Sequence, residues 1–343
     1  MIKNKILTIL PLTENYSKSK AGAVSLFIKD NNKFSKYNNF VVGSTNLKDI
    51  ISKNYKNFKV SRSLFSLSKN IDYSKKIYKF ILNNNFNLIE VHNRPQIAAF
   101  LIKKGIKNIS LFFCNDPLSI RGSKLLSDRK FLINNCQNIY FISNWVRRRF
   151  FENLKTKHPK NIIYHGCNVI IKKQKKDKII IFSGKLNRSK GYDIFCETII
   201  KILNKYKSWK SYVIGSEPRE KFDYKHKRLF HLGWLNHEKV INYYKKSSIS
   251  VVNSNWDEPF GRVAVESAAT GNAVIITNKG GLPETTKIRL LLNKNNKDNL
   301  YKKISLLIEN PNYLKKIQNK TLKEFAHYSK NIIDKLDRLR DKL

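Results

Sequence analysis

Short apolar runs alternate with longer polar, helix-compatible stretches, and the alternation occurs twice. In the first half, residues 6–11, 40–42, 88–91, 109–113, 139–142 and 162–164 read as strands. Between them, residues 24–29 open a helix after the small-residue turn 19–23. Ile77, Phe80 and Ile81 recur at helical spacing within 73–83, and Pro95 starts a helix that carries Ala98, Ala99, Leu101 and Ile102. Ser143-Asn144 reads as an N-cap. A fresh strand and turn begin at 178–184. Strands over 211–215, 229–232, 249–252 and 273–277 follow, with helices over 238–246 and 262–270 and a helical stretch over 299–343. Repeated strand–loop–helix units predict α/β, doubly wound domains. The polar run 172–178 has no hydrophobic face and is the expected linker, with the boundary near residues 168–177. Two domains are therefore expected, 1–168 and 169–324, with a last helix of about 325–343 packing back on the first.

Composition agrees with this picture. A chain of 343 residues suits two ordinary domains, and 41% hydrophobic residues are enough for sizeable cores, which excludes global disorder. No run reaches the roughly 18 to 20 apolar residues of a membrane span. Residues 1–10 resemble a signal peptide superficially, but no small-residue cleavage site follows at Thr13-Glu14-Asn15-Tyr16, so a first buried strand is expected. Cys114, Cys136, Cys167 and Cys196 are widely spaced, which argues against structural zinc and a redox dithiol. Reduced thiols and a cytoplasmic location are the default. The net charge of +42 admits an anionic partner or the compositional habit of a lysine- and asparagine-rich proteome. Lysines scattered along the whole chain favour the second. Attraction to an anionic inner-membrane surface still follows from such charge, which makes a peripheral position on the inner face of the plasma membrane a further expectation. No nucleic-acid recognition motif accompanies the charge, so a nucleic-acid partner is disfavoured.

Candidate chemistry gathers in the second half. The apolar run 249–252 leads into a polar loop that ends at Glu258-Pro259-Phe260-Gly261, then a helix carrying Glu266, another strand, and the turn Gly280-Gly281-Leu282-Pro283-Glu284. This βαβ unit collects its polar groups at one end, where a parallel sheet binds ligands. A helix starting right after a glycine turns free N–H groups toward the same place, suited to a diphosphate. Glu258 and Glu266 could accept hydrogen bonds from vicinal hydroxyls, or be ordinary surface glutamates. The loop Gly184-Lys185-Leu186-Asn187-Arg188-Ser189-Lys190-Gly191 brings cations to the end of a strand, as a phosphate site or as a solvated basic loop. No Asp-x-Asp occurs, so the lysines rather than a metal would carry the positive charge, and no cofactor is expected.

Glu258-Pro259-Phe260-Gly261 with Glu266, Gly271 and Gly280-Gly281-Leu282-Pro283-Glu284 resembles the signature of family 4 glycosyltransferases. Gly184-Lys185-Leu186 and Lys190-Gly191-Tyr192-Asp193 resemble that family's phosphate loop, and 231–235, with Gly233, sits where the family lines its nucleobase pocket. Val91-His92-Asn93-Arg94-Pro95 and Asn115-Asp116-Pro117-Leu118 resemble members that build bacterial lipopolysaccharide and surface polysaccharide. The resemblance implies a GT-B fold, with two Rossmann-like domains facing across a cleft. It implies a retaining, metal-independent hexosyltransferase that uses a nucleotide-diphosphate sugar and a saccharide or lipid-linked glycan acceptor. It places Lys185 and Lys190 on the diphosphate, Glu266 on the ribose, and Glu258 on the donor sugar. Backbone around Phe260, Gly261, Arg262 and Val263 would contact sugar and phosphate. His92, Asn93, Arg94 and Asn115 are acceptor-side candidates. Two departures stand out. The first loop reads Ala21-Gly22-Ala23, so Gly22 alone could let backbone approach a phosphate. Cys114 stands where the family commonly has an active-site histidine. Either Asn115, Asp116 or His92 takes over there, or the chain is a catalytically impaired sugar-nucleotide binder.

Overall fold

The computed structural model describes residues 5–60, 68–156, 161–169 and 175–343. The chain divides into two compact units, Met1–Gly166 with Ser329–Leu343, and Cys167–Tyr328.

The first unit is a six-stranded parallel sheet. Its strands are β1 (Lys5–Ile9), β2 (Asn38–Gly43), β3 (Tyr55–Asn57), β4 (Leu88–His92), β5 (Ile109–Phe113) and β6 (Asn138–Phe141), in the order β3-β2-β1-β4-β5-β6. Its helices are α1 (Ala23–Phe34), α2 (Lys69–Leu82), α3 (Pro95–Lys103), α4 (Leu126–Asn135) and α5 (Asn144–Phe151). β4 and β5 are buried along their whole length because helices cover both faces, so they read as unbroken apolar runs. The expected cap is present: Ser143 Oγ accepts from Val146 N at 3.1 Å.

The second unit repeats the architecture. Its strands are β7 (Ile179–Ser183), β8 (Lys210–Ile214), β9 (Leu229–His231), β10 (Ile249–Val252), β11 (Ala273–Thr277) and β12 (Leu290–Leu292), all parallel, in the order β12-β11-β10-β7-β8-β9. Its helices are α6 (Tyr192–Lys205), α7 (His237–Lys246), α8 (Arg262–Ala269), α9 (Lys297–Glu309) and α10 (Pro311–Lys323). Ile180, Phe182, Val251 and Ile275 from the sheet and Phe195, Ile199, Leu300 and Ile304 from the helices form one buried core. Strand order reverses between β1 and β4 in the first sheet and between β7 and β10 in the second. Such a reversal opens a crevice at the strands' C-terminal ends.

Several expectations need correction. Residues 162–164 are not a strand: Ile162 makes a single parallel bridge with Phe141. The helical stretch over 299–343 is three helices, because Asn310 ends α9, Pro311 starts α10, and α11 is Ser329–Arg340. Helix α4 carries no apolar stripe, with only Arg129 and Leu132 buried, so periodicity could not reveal it. Strands β3 and β12 are three residues each, too short for a pattern. Part of the expected linker, 170–174, lies outside the described residues. Within the linker, Lys176 donates to Thr270 O at 2.6 Å and Tyr244 O at 3.1 Å, near the carboxyl ends of α8 and α7.

Helix α11 belongs to the first unit. Arg340, fully buried, makes a two-bond contact with Glu90 of β4 at 2.8 and 2.7 Å and a third bond to Asp337 at 2.7 Å. Among the described residues, no helix is long and apolar enough to cross a membrane.

Candidate functional site

In the second unit the loops after β7 and β10 flank the strand-order reversal and are joined to each other. Asn253, fully buried, donates from Nδ2 to Gly191 O at 2.9 Å. Ser254 Oγ and Asn255 N both donate to Ser189 O, at 3.0 and 2.9 Å. These bonds bring Lys190 to Glu258, and Lys190 Nζ donates to Glu258 Oε1. The same ammonium lies 5.5 Å from the centroid of the Trp256 ring. The Gly-Gly turn holds this loop from the other side: Gly281 N donates to Glu258 O at 2.6 Å, and Gly280 N to Asp257 Oδ1 at 3.1 Å. Gly280 has φ +59°, and a Cβ there would stand 2.1 Å from Glu258 O. Only glycine allows both the conformation and the approach.

Helix α8 begins at Gly261, whose φ is +123°; a Cβ there would lie 2.4 Å from Leu282 Cδ2. No side chain of the cap residue closes the helix, so its positive end faces the crevice. Glu266 lies one turn in, buried, with Oε1 accepting from Arg262 Nε at 2.6 Å and His237 Nε2 at 2.9 Å. Burial is the largest influence on this carboxyl and raises its pKa. The Arg262 charge and the contacts with His237 outweigh it, so Glu266 stays ionised below the usual carboxylate range. The Phe260 side chain is buried edge-on against His327, 5.4 Å between ring centres, so any ligand contact at this residue runs through backbone. Val263 is half-buried in the first turn of α8. Lys185 is exposed on the β7 loop, and its charge reaches Glu217. Gly233 accepts from Gly215 N at 2.8 Å and has open space around it, so no close approach requires glycine there.

The structure thus brings Lys190, Glu258 and the Gly-Gly turn together. It does not join Glu258 to Glu266, which is tied instead to Arg262 and His237. A cation and an open helix start can meet phosphate oxygens, and the carboxylates can accept from hydroxyls.

The first-unit candidates look different. The space over Gly22 holds the Glu14 carboxylate: a Cβ on Gly22 would lie 2.5 Å from Glu14 Oε1, and that oxygen accepts from Ser25 N at 2.9 Å, in the first turn of α1. Burial pushes the Glu14 carboxyl up. The acceptor role expected for His92 is corrected. The ring is fully buried, stacked 4.4 Å from Phe112, and among the described residues neither nitrogen has a hydrogen-bond partner. The reason is position: His92 ends a strand that helices cover on both faces, so it presents no surface to a ligand. Asn93, at φ +55°, is a buried brace whose Oδ1 accepts from Cys114 N at 3.2 Å and Asn115 N at 3.1 Å. Arg94 donates to Asn93 O at 2.8 Å and Thr13 Oγ1 at 3.3 Å. Asn115 is exposed. Asp116 caps a short 3-10 turn by accepting from Leu118 N at 3.1 Å, and pairs with Arg149 at 3.1 Å, so its oxygens are already engaged. Cys114 is buried, with Sγ 3.7 Å from His165 Nε2. Burial pushes its thiol up to about 12.

Glu14, His165, His237 and Asn253 were not among the sequence candidates. Each acts on a residue distant in the chain, and only the Asn253 loop carried a local signal, by its place directly after a strand.

Comparison with known proteins gives a consistent result. A family model described as "Glycosyl transferases group 1" matches residues 169–324. The putative glycosyltransferase YtcC of Bacillus subtilis (strain 168) is 23% identical over 250 residues, covering 63% of this chain and 61% of the relative. An uncharacterized 42.6 kDa protein in the cps region of Klebsiella pneumoniae is 31% identical over 175 residues, covering 50% of this chain and 46% of the relative. The chain thus spans less than two thirds of these relatives' length. The structure of Anabaena Alr3699/HepE in complex with UDP and glucose superposes with a TM-score of 0.79 at 15% identity, over 99% of this chain and 100% of that one. That likeness places the chain in the GT-B fold.

Proposed function

Because residues 169–324 are a group 1 glycosyl transferase domain, we propose that the chain transfers a sugar from a nucleotide-diphosphate sugar to a saccharide or glycolipid acceptor. The transfer is of the retaining, family 4 hexosyl type and needs no metal, since lysine side chains and a helix end supply the positive charge. The observation that carries this reading is the convergence of Lys190, Glu258 and the uncapped start of α8 at the β7/β10 reversal. Departure of a diphosphate is the costly step, and fixed positive groups aimed at it stabilise the developing charge. Lys185 and Lys190 take the phosphates, Glu258 the sugar hydroxyls, and Glu266 the ribose hydroxyls. UDP and glucose in the HepE complex support a nucleotide-sugar donor. A relative located in a Klebsiella cps region supports a role in surface-glycan or lipopolysaccharide synthesis. The charge of +42 supports work at an anionic inner-membrane surface.

The test combines thermal shifts with a transfer assay over UDP-, GDP- and ADP-sugars. One donor should raise the melting temperature and be turned over, and Lys190→Ala and Glu258→Ala should each lose most of the transfer. Full activity in both variants would overturn the site assignment.

A second reading, a sugar-nucleotide binder with impaired turnover, is favoured by one observation. At Cys114, directly after β5, the position that resembles an active-site histidine carries a buried thiol, a weak hydrogen-bond donor. A large gain in turnover for Cys114→His, read on variant protein shown folded by its melting temperature, supports this second reading, and unchanged turnover of the folded variant removes it.

A further inference from the structure

We propose that the indole of Trp256 is the platform on which the donor's sugar ring rests; this deepens the donor-site reading above and rests on it. Trp256 is 44% exposed, although it sits on the loop that follows β10, a central strand of the sheet. Its ring contributes little to the core, and its place in the loop is fixed by backbone, with Trp256 N donating to Ser189 O at 3.3 Å. The β7 and β10 loops therefore hold an indole at the strand-order reversal without burying it.

What lies around the ring indicates the ligand. Lys190 Nζ sits 5.5 Å from the ring centre, and the same ammonium is bonded to Glu258, two residues further on. Indole, cation and carboxylate form one cluster within a single unit. A pyranose offers a C–H face and a rim of hydroxyls, and an aromatic face beside a carboxylate complements both. The cation suits the diphosphate attached to that sugar. When a diphosphate draws Lys190 toward it, the ring and the Glu258 carboxylate are released together for the sugar. The exposed indole of Trp234 has a different setting, on the loop after the edge strand β9 and away from the reversal.

The experiment compares each nucleoside diphosphate with its sugar conjugate: UDP with UDP-glucose, GDP with GDP-mannose, ADP with ADP-glucose. Binding is measured by calorimetry to the full chain and to Trp256→Ala and Trp256→Phe. For whichever pair binds the unsubstituted protein, Trp256→Ala should weaken the sugar conjugate about tenfold and leave the diphosphate unchanged, and Trp256→Phe should restore most of the difference. Equal weakening of both ligands would place the ring under the base, or reduce it to a loop support, and overturn the proposal. No change in either would overturn it as well. Failure of every pair to bind the unsubstituted protein would instead remove the donor-site reading on which the proposal rests.

Discussion

The thiol of Cys114 lies 3.7 Å from Nε2 of His165, and both side chains are buried. The imidazole also stacks on Phe27, 4.5 Å between ring centres. The position that resembles an active-site histidine therefore carries a thiol, and an imidazole reaches it from the other end of the unit's chain. Burial holds the thiol near 12, as it does for Cys136 and Cys196, so almost no thiolate exists at neutral pH. The native protein should react slowly with a disulfide reagent at pH 8, and all four cysteines should react once guanidinium unfolds it. Rapid labelling of Cys114 in the native state, mapped by mass spectrometry, would contradict this. Inserting a larger ring, as in Cys114→His, should cost about 1–3 kcal/mol of stability through overpacking.

His92 should make the first unit sensitive to acid. Its burial, reinforced by the nearby Arg340 charge, lowers its pKa to about 3, whereas the unfolded chain takes up the proton near 6.5. The folded value is depressed for a base, so the unfolded state binds more protons as pH falls between these values. The stability is complete above about 6.5 and declines toward 3 by up to roughly 1.4 kcal/mol per pH unit. Urea midpoints measured at pH 7, 6, 5 and 4 should show this slope, and His92→Leu should flatten it. An unchanged slope in the variant would assign the acid sensitivity to other groups.

Gly280→Ala should damage the Glu258 loop out of proportion to its size. The added methyl would stand 2.1 Å from Glu258 O, at a φ of +59° that non-glycine residues adopt only with strain. The expected cost is on the order of 1–3 kcal/mol, together with loss of donor-induced thermal stabilisation. An alanine variant that melts and binds like the parent would show that the turn can move away from Glu258 without consequence.

Arg340→Ala should be among the most damaging changes in the first unit, because it leaves the buried Glu90 carboxyl without its ion-pair partner. Breaking such a pair from one side costs about 3–5 kcal/mol. The double change Arg340→Met with Glu90→Leu should recover part of that loss, since it removes the unpaired Glu90 carboxyl while Asp337 still loses its Arg340 bond. Thermal unfolding of the two variants checks both statements.

The sequence by itself determined two α/β halves of strand–loop–helix units, and it marked the Glu258-to-Glu284 segment as the candidate site of the second half. Both are local properties. Apolar runs mark strands buried on both faces, and Gly261 and Gly280 mark backbone that admits no side chain. The same local logic missed α4, which has no apolar stripe, and read through the break at Asn310-Pro311. The tertiary structure decided the partnerships. Lys190 meets Glu258 across 68 positions, His237 meets Glu266 across 29, Cys114 meets His165 across 51, and Arg340 meets Glu90 across 250. Each depends on which strands become neighbours. β7 lies beside β10, and that adjacency sets Lys190 against Glu258. The burial of His92 has a similar origin. Its flanking residues look like an exposed loop, and only the helices laid over β4 place the ring in the core. Spacing along the chain carries no record of strand order, because pairing energy is released only when distant segments meet.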